Sequence, residues 1–276
     1  MNYSLSNMLS SNASGIDADA KAYIDAVVAG GGTVSGTQRS AINTFYKTGK
    51  SDGWYSSLKR LYLPIWGVAA PNAICMTSLT SGTFVGTVTH SSGFVTTDAS
   101  TGHFLYDATP SALGCTTSSG SFVMLVTGAA TVAATAVLGS TQDVSNATRF
   151  GASSGGAGNR AWRLFQTTGL SYADSDSRSV LLASRTSTAT LSSYKRTSSG
   201  FTTTINEAAS AAGTVGTTTP MTLMAGNLAG VVSGYAVSTT RFGAHGMGLG
   251  VTSAQAESFT LALKNLWEVS TGLSLP

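Results

Sequence analysis

Residues 122–139 read FVMLVTGAATVAATAVLG, an apolar run nearly long enough to cross a bilayer as a helix, which takes about 20 apolar residues. Three threonines and the central Gly128-Ala129-Ala130 argue against a spanning segment. Two β-rich runs, 122–126 and 132–138, flank the turn-like Thr127-Gly128-Ala129-Ala130, so the stretch is predicted as a buried hairpin with no membrane insertion. The surrounding sequence has the same character. From Ile74 onward, short apolar runs are bounded by Gly, Ser, Asp or Asn: residues 83–88, 102–106, 161–165, 180–182, 189–195, 201–205, 222–224, 235–237 and 241–245. No helical stretches intervene, so antiparallel pairing in a jelly-roll-like sandwich is expected.

Upstream of Trp66 the pattern changes. Asp17 or Asp19 can cap a helix whose Tyr23, Ile24, Val27 and Val28 share a face before Gly30-Gly31-Gly32 ends it. Ser35 and Gln38 have capping-box spacing ahead of a stripe of Ala41, Ile42, Phe45 and Tyr46. Asp52 can cap a third helix through Trp54, Leu58 and Leu61, which Pro64 stops. At the other end, Thr252 and Gln255 repeat the capping box ahead of Phe259, Leu263, Leu266 and Trp267. The expected organisation is an extended docking tail over residues 1–15, a helical adaptor over 16–66, and a β-sandwich with a C-terminal helix over 67–276. An adaptor of ~50 residues buries too little surface to stand alone and needs a neighbour.

Composition narrows function. Charged residues make up 10% of the 276, against about 25% in ordinary soluble domains, and mean hydropathy is +0.16. The net charge of +3 is scattered, with no basic stripe for nucleic acid. Residues 1–14 lack the basic start and continuous apolar core of a secretory signal. Cys75 and Cys115 read as two buried thiols, with a bridge as the alternative.

Chemistry-bearing groups are sparse. His90, His103 and His245 lack zinc-ligand spacing, and the abundant serines sit in no Gly-x-Ser-x-Gly elbow that leads from a strand into a helix. Glycoside cleavage needs two facing carboxylates, and one close pair of acids, Asp174 and Asp176, lies in a loop that reads as a solvated turn. No catalytic residue, metal site or cofactor is therefore assigned. The glycine-rich stretch 151–160 precedes a β-pattern rather than a helix and reads as a surface loop, not a phosphate cradle. Sugar recognition favours an aromatic face beside polar donors, which selects Tyr172, Asp174, Asp176 and Asn227. Tyr3, Leu5, Met8, Leu9, Trp54 and Tyr55 are the candidates for docking to another subunit, Trp54 and Tyr55 also having a reading as core.

The order of Asp17-Ala-Asp19-Ala-Lys-Ala-Tyr23-Ile24, Ile42-Asn-Thr-Phe45-Tyr46 and Asp52-Gly53-Trp54-Tyr55, and an ending of Arg241-Phe242-Gly243-Ala244-His245-Gly246 before a helix, resembles tailed-phage virion proteins with a concanavalin/laminin-G-like domain. The resemblance implies a helical preamble on a lectin-like sandwich and no conserved catalytic set. It implies a virion component assembled in the host cytoplasm, displayed as a head decoration, head spike or tail fibre. Its partners would be capsid or tail proteins, further copies of itself, and a bacterial surface polysaccharide held weakly and multivalently. A purely architectural decoration protein and a polysaccharide depolymerase are the competing readings.

Overall fold

Two antiparallel sheets face each other across an apolar core. The computed structural model describes residues 15–128, 137–142, 149–154, 159–166, 170–173, 176, 178–208 and 215–275. The first sheet runs in the order β13 (Phe201–Ala208), β12 (Thr190–Arg196), β11 (Ser179–Arg185), β6 (Gly120–Val126), β17 (Phe242–Gly248), β4 (Phe94–Thr97), β3 (Val88–Ser91), with β1 (Leu58–Tyr62) also on β17. The second runs β10 (Leu170–Ala173), β9 (Asn159–Gln166), β8 (Arg149–Ser154), β7 (Val137–Gln142), β14 (Thr222–Leu223), β5 (His103–Leu105), β2 (Thr83–Val85). In this sheet β15 (Gly226–Leu228) lies parallel to β7 and antiparallel to β16 (Val231–Ser233). The protein is thus the mainly-β, antiparallel sandwich that the sequence predicts, with small N-terminal helices and a C-terminal helix.

Strand alternation sorts the side chains into two cores. On β6, Phe122, Met124 and Val126 point between the sheets, whereas Val123 and Leu125 point outward beneath the helices. On β11, Leu181 and Ala183 point inward while Val180 and Leu182 point outward. Both faces of this sheet are therefore buried, which is why its central strands read as continuous apolar runs. The covering layer consists of α1 (Ala18–Ala29), α2 (Gly36–Ser51) and α4 (Ser253–Thr271); α3 (Ala69–Asn72) is a single turn against α1.

Local chemistry explains the helix limits. Asp17 accepts the amides of Asp19 and Ala20, and Gly30 ends α1. Ser35 and Gln38 close a reciprocal capping box on α2, as do Thr252 and Gln255 on α4. α4 ends on Gly272 in the left-handed region, where a side chain would be strained. The Thr252→Ala variant should lose ~1 kcal/mol in denaturant unfolding, because the Gln255 amide loses its acceptor; an unchanged midpoint would show that this cap contributes nothing.

Two expectations are corrected. The third helix does not form: Tyr55–Ser57 make one 3-10 turn and residues 58–62 run as β1, antiparallel to β17 from Leu58–Gly248 to Tyr62–His245. Trp54, Leu58 and Leu61 satisfy helical spacing, yet from the strand Leu58 and Leu61 are buried in the core beneath the helices, and Gly246 and Gly248 let the two backbones close: a Cβ on Gly248 would lie 2.1 Å from the Ser57 carbonyl oxygen. Most of the predicted hairpin's second run, residues 129–136, lies outside the described residues; the first run, β6, pairs with β11 and β17 in the first sheet, whereas β7, which begins at Val137, lies in the second, so β6 and β7 form no hairpin. Residues 235–237 form no strand, although the Ala236 amide donates to Met224 O at 2.7 Å.

Cys75 and Cys115 are free and buried. The Cys115 thiol touches Gly248 O, and burial pushes its pKa up to about 12. No helix among the described residues is long and apolar enough to cross a membrane.

Candidate functional site

Of the residues chosen for sugar binding, Tyr172 and Asn227 lie on separate strands of the second sheet and do not converge. Tyr172 lies on β10 opposite Arg160 of β9, at the lateral edge of the second sheet. Asp174 lies outside the described residues. Asp176 is half-exposed and clamped by its own neighbour: Arg178 donates its backbone amide and Nε to Oδ1, each at 3.0 Å, and its Nη2 to Oδ2 at 2.7 Å. Lys195 Nζ donates to the Asp176 carbonyl. The Arg178 guanidinium holds the Asp176 carboxyl below the usual carboxylate range, so this acid is a charged turn clamp, not a proton donor.

The placement of Asn227 at a sugar-facing rim is corrected, because the residue is 5% exposed. Its Nδ2 donates to Pro220 O at 3.1 Å and its Oδ1 accepts Gly230 N at 3.0 Å, fastening the β15–β16 turn. Strands β9, β8 and β7 separate it from β10, a span of about 19 Å at ~4.8 Å per strand.

Docking candidates divide in the same way. Tyr3, Leu5, Met8 and Leu9 lie outside the described residues. Trp54 presents no surface at all: it is fully buried against Phe45 and Phe259, with ring centroids 5.0 Å from each, and its Nε1 donates to Ser258 Oγ at 3.2 Å. Its docking reading is corrected to core, since burying so large a ring is worth more than exposing it. Tyr55 is half-buried against Tyr46, with the Lys50 ammonium 5.4 Å from its ring centre.

Sequence reasoning missed the feature that the helices do build. Thr37, Ala41, Thr44 and Thr48 form a small-residue stripe on α2, facing Leu261 and Val269 of α4 across a groove of about 540 Å³ with Phe45 and Leu266 in its floor. Leu261 is 43% and Val269 49% exposed, lying off the stripe of Phe259, Leu263, Leu266 and Trp267 that packs on the sheet. The readable signal was that residues 261, 265 and 269 form a second stripe on one helix, and a helix with two such stripes has two neighbours to satisfy. A second depression, of about 310 Å³, lies where β11–β13 meet the start of α4 and is lined by hydroxyls, among them Ser184, Thr190, Ser192, Thr203 and Ser253, with no charged side chain.

Among the described residues, Asp98, Asp107 and the three histidines have structural employment. Asp98 Oδ1 accepts the amides of Ser100, Thr101 and Gly102, and its Oδ2 accepts the Ser100 and Thr101 hydroxyls, which hold its carboxyl well below the usual range. Burial alone would raise the Asp107 pKa, but Arg60, Thr80 and Tyr62 donate to its carboxylate and bring it below the usual value. His90 Nδ1 meets Asn72 Nδ2 at 3.0 Å, His103 Nδ1 meets Thr101 O at 3.0 Å, and His245 Nδ1 meets the Tyr106 hydroxyl at 2.7 Å. No group of three or more His, Cys, Asp or Glu suited to a metal ion occurs among the described residues.

No protein-family model matches the sequence, and no curated protein matches it. Solved structures do. Trypanosoma rangeli sialidase in complex with sialic acid superposes at a TM-score of 0.50 and 10% identity, over 81% of this chain and 38% of that one. The receptor-binding domain of botulinum neurotoxin mosaic serotype C/D gives 0.50 at 9% identity, over 76% and 51%. Domain 4 of the arabinanase AbnA from Geobacillus stearothermophilus, in complex with arabinotriose, gives 0.49 at 9%, over 75% and 98%. The chain spans about half or less of the length of the first two. At such identity the two likenesses at 0.50 show a shared sandwich fold and nothing further.

Proposed function

We propose that this chain is a non-catalytic structural protein of a tailed-phage or phage-like particle, attached through its helical end and displaying a sandwich that holds host-surface glycans weakly and in many copies. The observation that carries the reading is the two-sidedness of the molecule: α1, α2 and α4 all cover the outer face of the first sheet, leaving the second sheet on the opposite side. The resemblance of the preamble and of the Arg241–Trp267 ending to phage virion proteins supplies the particle. Support for a carbohydrate ligand comes from the shared sandwich, which in the T. rangeli sialidase structure is part of a protein holding sialic acid. Tyr172, Asp174 and Asp176 remain the candidate rim.

Multivalency is central to this reading. Linking several copies raises apparent affinity ~10²–10⁴-fold without new contacts, so a charge-poor site suffices. The test is binding of the folded protein, clustered on beads, to an array of bacterial surface polysaccharides, with bare beads as control. Saturable binding competed by free polysaccharide is expected. The absence of binding across the array would favour the purely architectural reading, which the internal employment of Asn227 and Asp176 already favours in part. Deleting residues 1–15 should leave the sandwich folded while preventing incorporation into particles; normal incorporation would remove the tail from the attachment.

A further inference from the structure

His245 is fully buried on β17, and its Nε2 meets no partner among the described residues, so no acceptor stands ready for a second ring proton. Its Nδ1 meets the Tyr106 hydroxyl at 2.7 Å, Tyr62 of β1 stacks on the ring, and Phe104 and Tyr106 stand edge-on to it. From β6 the residue opposite is Met124, which carries no titratable group. Beyond Tyr62 come the charges Asp107 and Arg60, already paired with each other: the Tyr62 hydroxyl donates to Asp107 Oδ1 at 3.1 Å, and Arg60 Nε donates to the same oxygen at 2.6 Å. Tyr62 thus reaches from the imidazole to the surface residue Asp107.

The strand that carries Tyr62 is weakly fastened to β17. Its pairs run from Leu58–Gly248 to Tyr62–His245 with a bulge between Leu58 and Arg60, and two of the four β17 partners, Gly246 and Gly248, bring no side chain to a cross-strand pair. On its other edge β1 carries residues 75–77, through Met76 N to Leu61 O at 2.7 Å and Thr77 Oγ1 to Lys59 O at 2.8 Å, so the two segments lift together. A buried group reaches water through the least costly local opening, which here is the removal of its Tyr62 cover.

We propose that the Tyr62–His245 contact is an acid-sensitive latch: when the His245 ring takes up a second proton, the Tyr62 end of β1 parts from β17 with residues 75–77 attached, while the two sheets stay paired. Burial holds the pKa of the closed ring down to about 3, and in water it returns to about 6.5. The open form therefore gains as pH falls through that interval, and its share rises roughly 200-fold between pH 7 and pH 4. Burial raises the Tyr62 and Tyr106 pKa values, so both phenols stay neutral; burial alone would lower the Arg60 pKa, but the Asp107 carboxylate raises it, and Arg60 stays charged. Release of the Asp107 carboxylate from its donors would add at most about twofold at pH 4.

The readout is the native Cys75, which is buried and whose backbone bridges to Tyr62. Its reaction with a dipyridyl disulfide, a reagent that stays active in acid, is followed by peptide mapping at pH 7 and pH 4, each rate divided by that of the urea-unfolded chain at the same pH. The corrected rate should rise about 200-fold in the parent chain and about twofold or less in His245→Phe. Urea kept below the unfolding transition should leave the parent's rate at pH 4 nearly unchanged, because a local opening exposes little surface. A rate that climbs with urea as steeply as global unfolding would overturn the proposal, since the whole molecule would then be opening, and so would an equal rise in parent and variant. The urea series uses the parent chain alone and decides the matter even if His245→Phe does not fold.

Discussion

The His245→Phe variant should withstand acid that unfolds the parent chain. His245 is fully buried on β17, stacked on Tyr62 with centroids 5.1 Å apart, edge-on to Phe104, and bonded through Nδ1 to the Tyr106 hydroxyl. Its Nε2 has no partner. Burial brings its pKa down to about 3, whereas the unfolded imidazole titrates near 6.5. Between those values the unfolded chain binds more protons, so stability is complete above about pH 6.5, falls as pH drops, and levels off below the folded value. The slope is at most ~1.4 kcal/mol per pH unit, or roughly 3 kcal/mol lost from this residue by pH 4.

Other groups around it do not share that window. Tyr62 and Tyr106 have pKa values raised by burial and stay neutral, and Asp107 contributes stability that is lost only as pH falls below the ordinary carboxylate value. His90, whose pKa burial also lowers, adds an acid-sensitive component to parent and variant alike. Denaturant unfolding at pH 7 and pH 4 is the measurement. The parent should lose about 3 kcal/mol more than the variant between the two; equal losses would mean that the His245 imidazole takes up its proton as readily in the folded chain as in the unfolded one.

A second large effect is expected at Trp54. Its ring fills the space between α2 and α4, and the fit is close enough that a Cβ on Gly49 would lie 2.6 Å from it. Trp54→Ala removes these contacts and leaves Ser258 Oγ without its indole donor, at a cost of about 3–5 kcal/mol. The loss should appear in unfolding of the whole molecule, because the helices share a core with Val123, Leu125, Val180 and Leu182 of the sheet. A single cooperative transition at a lower midpoint is expected. Early melting of the helices with the β-signal unchanged would show instead that residues 16–66 form a separable adaptor.

Much of the architecture could be read from the sequence because its signals are local. Capping boxes at Ser35 and Thr252 mark helix starts whatever lies beyond them, and turn residues delimit most strands. Errors arose where a distant partner decided the outcome. Leu58 and Leu61 fit a helical stripe, and only the glycines of β17, remote in sequence, make β1 the better use of them. The apolar run at 122–139 carries no mark of which sheet each half joins. Candidate site residues were less legible still, because polar side chains chosen for chemistry proved to hold turns: Asn227 fastens β15 to β16, and Asp176 pairs with Arg178 two residues away.

The pairing of β1 with β17, together with the packing of α2 on α4, also dictates an order of events during synthesis. α2 and β1 find their largest partners in α4 and β17, so these segments wait on a ribosome with part of their apolar surface unmet until Phe242–Gly248 and Ser253–Thr271 emerge. Contacts so remote in sequence slow the search and lengthen exposure of unpaired strand edges. Emergence of Phe242–Thr271 is therefore the step that commits these segments to their fold, and a nascent chain stalled before Arg241 would expose the surfaces that β17 and α4 later cover.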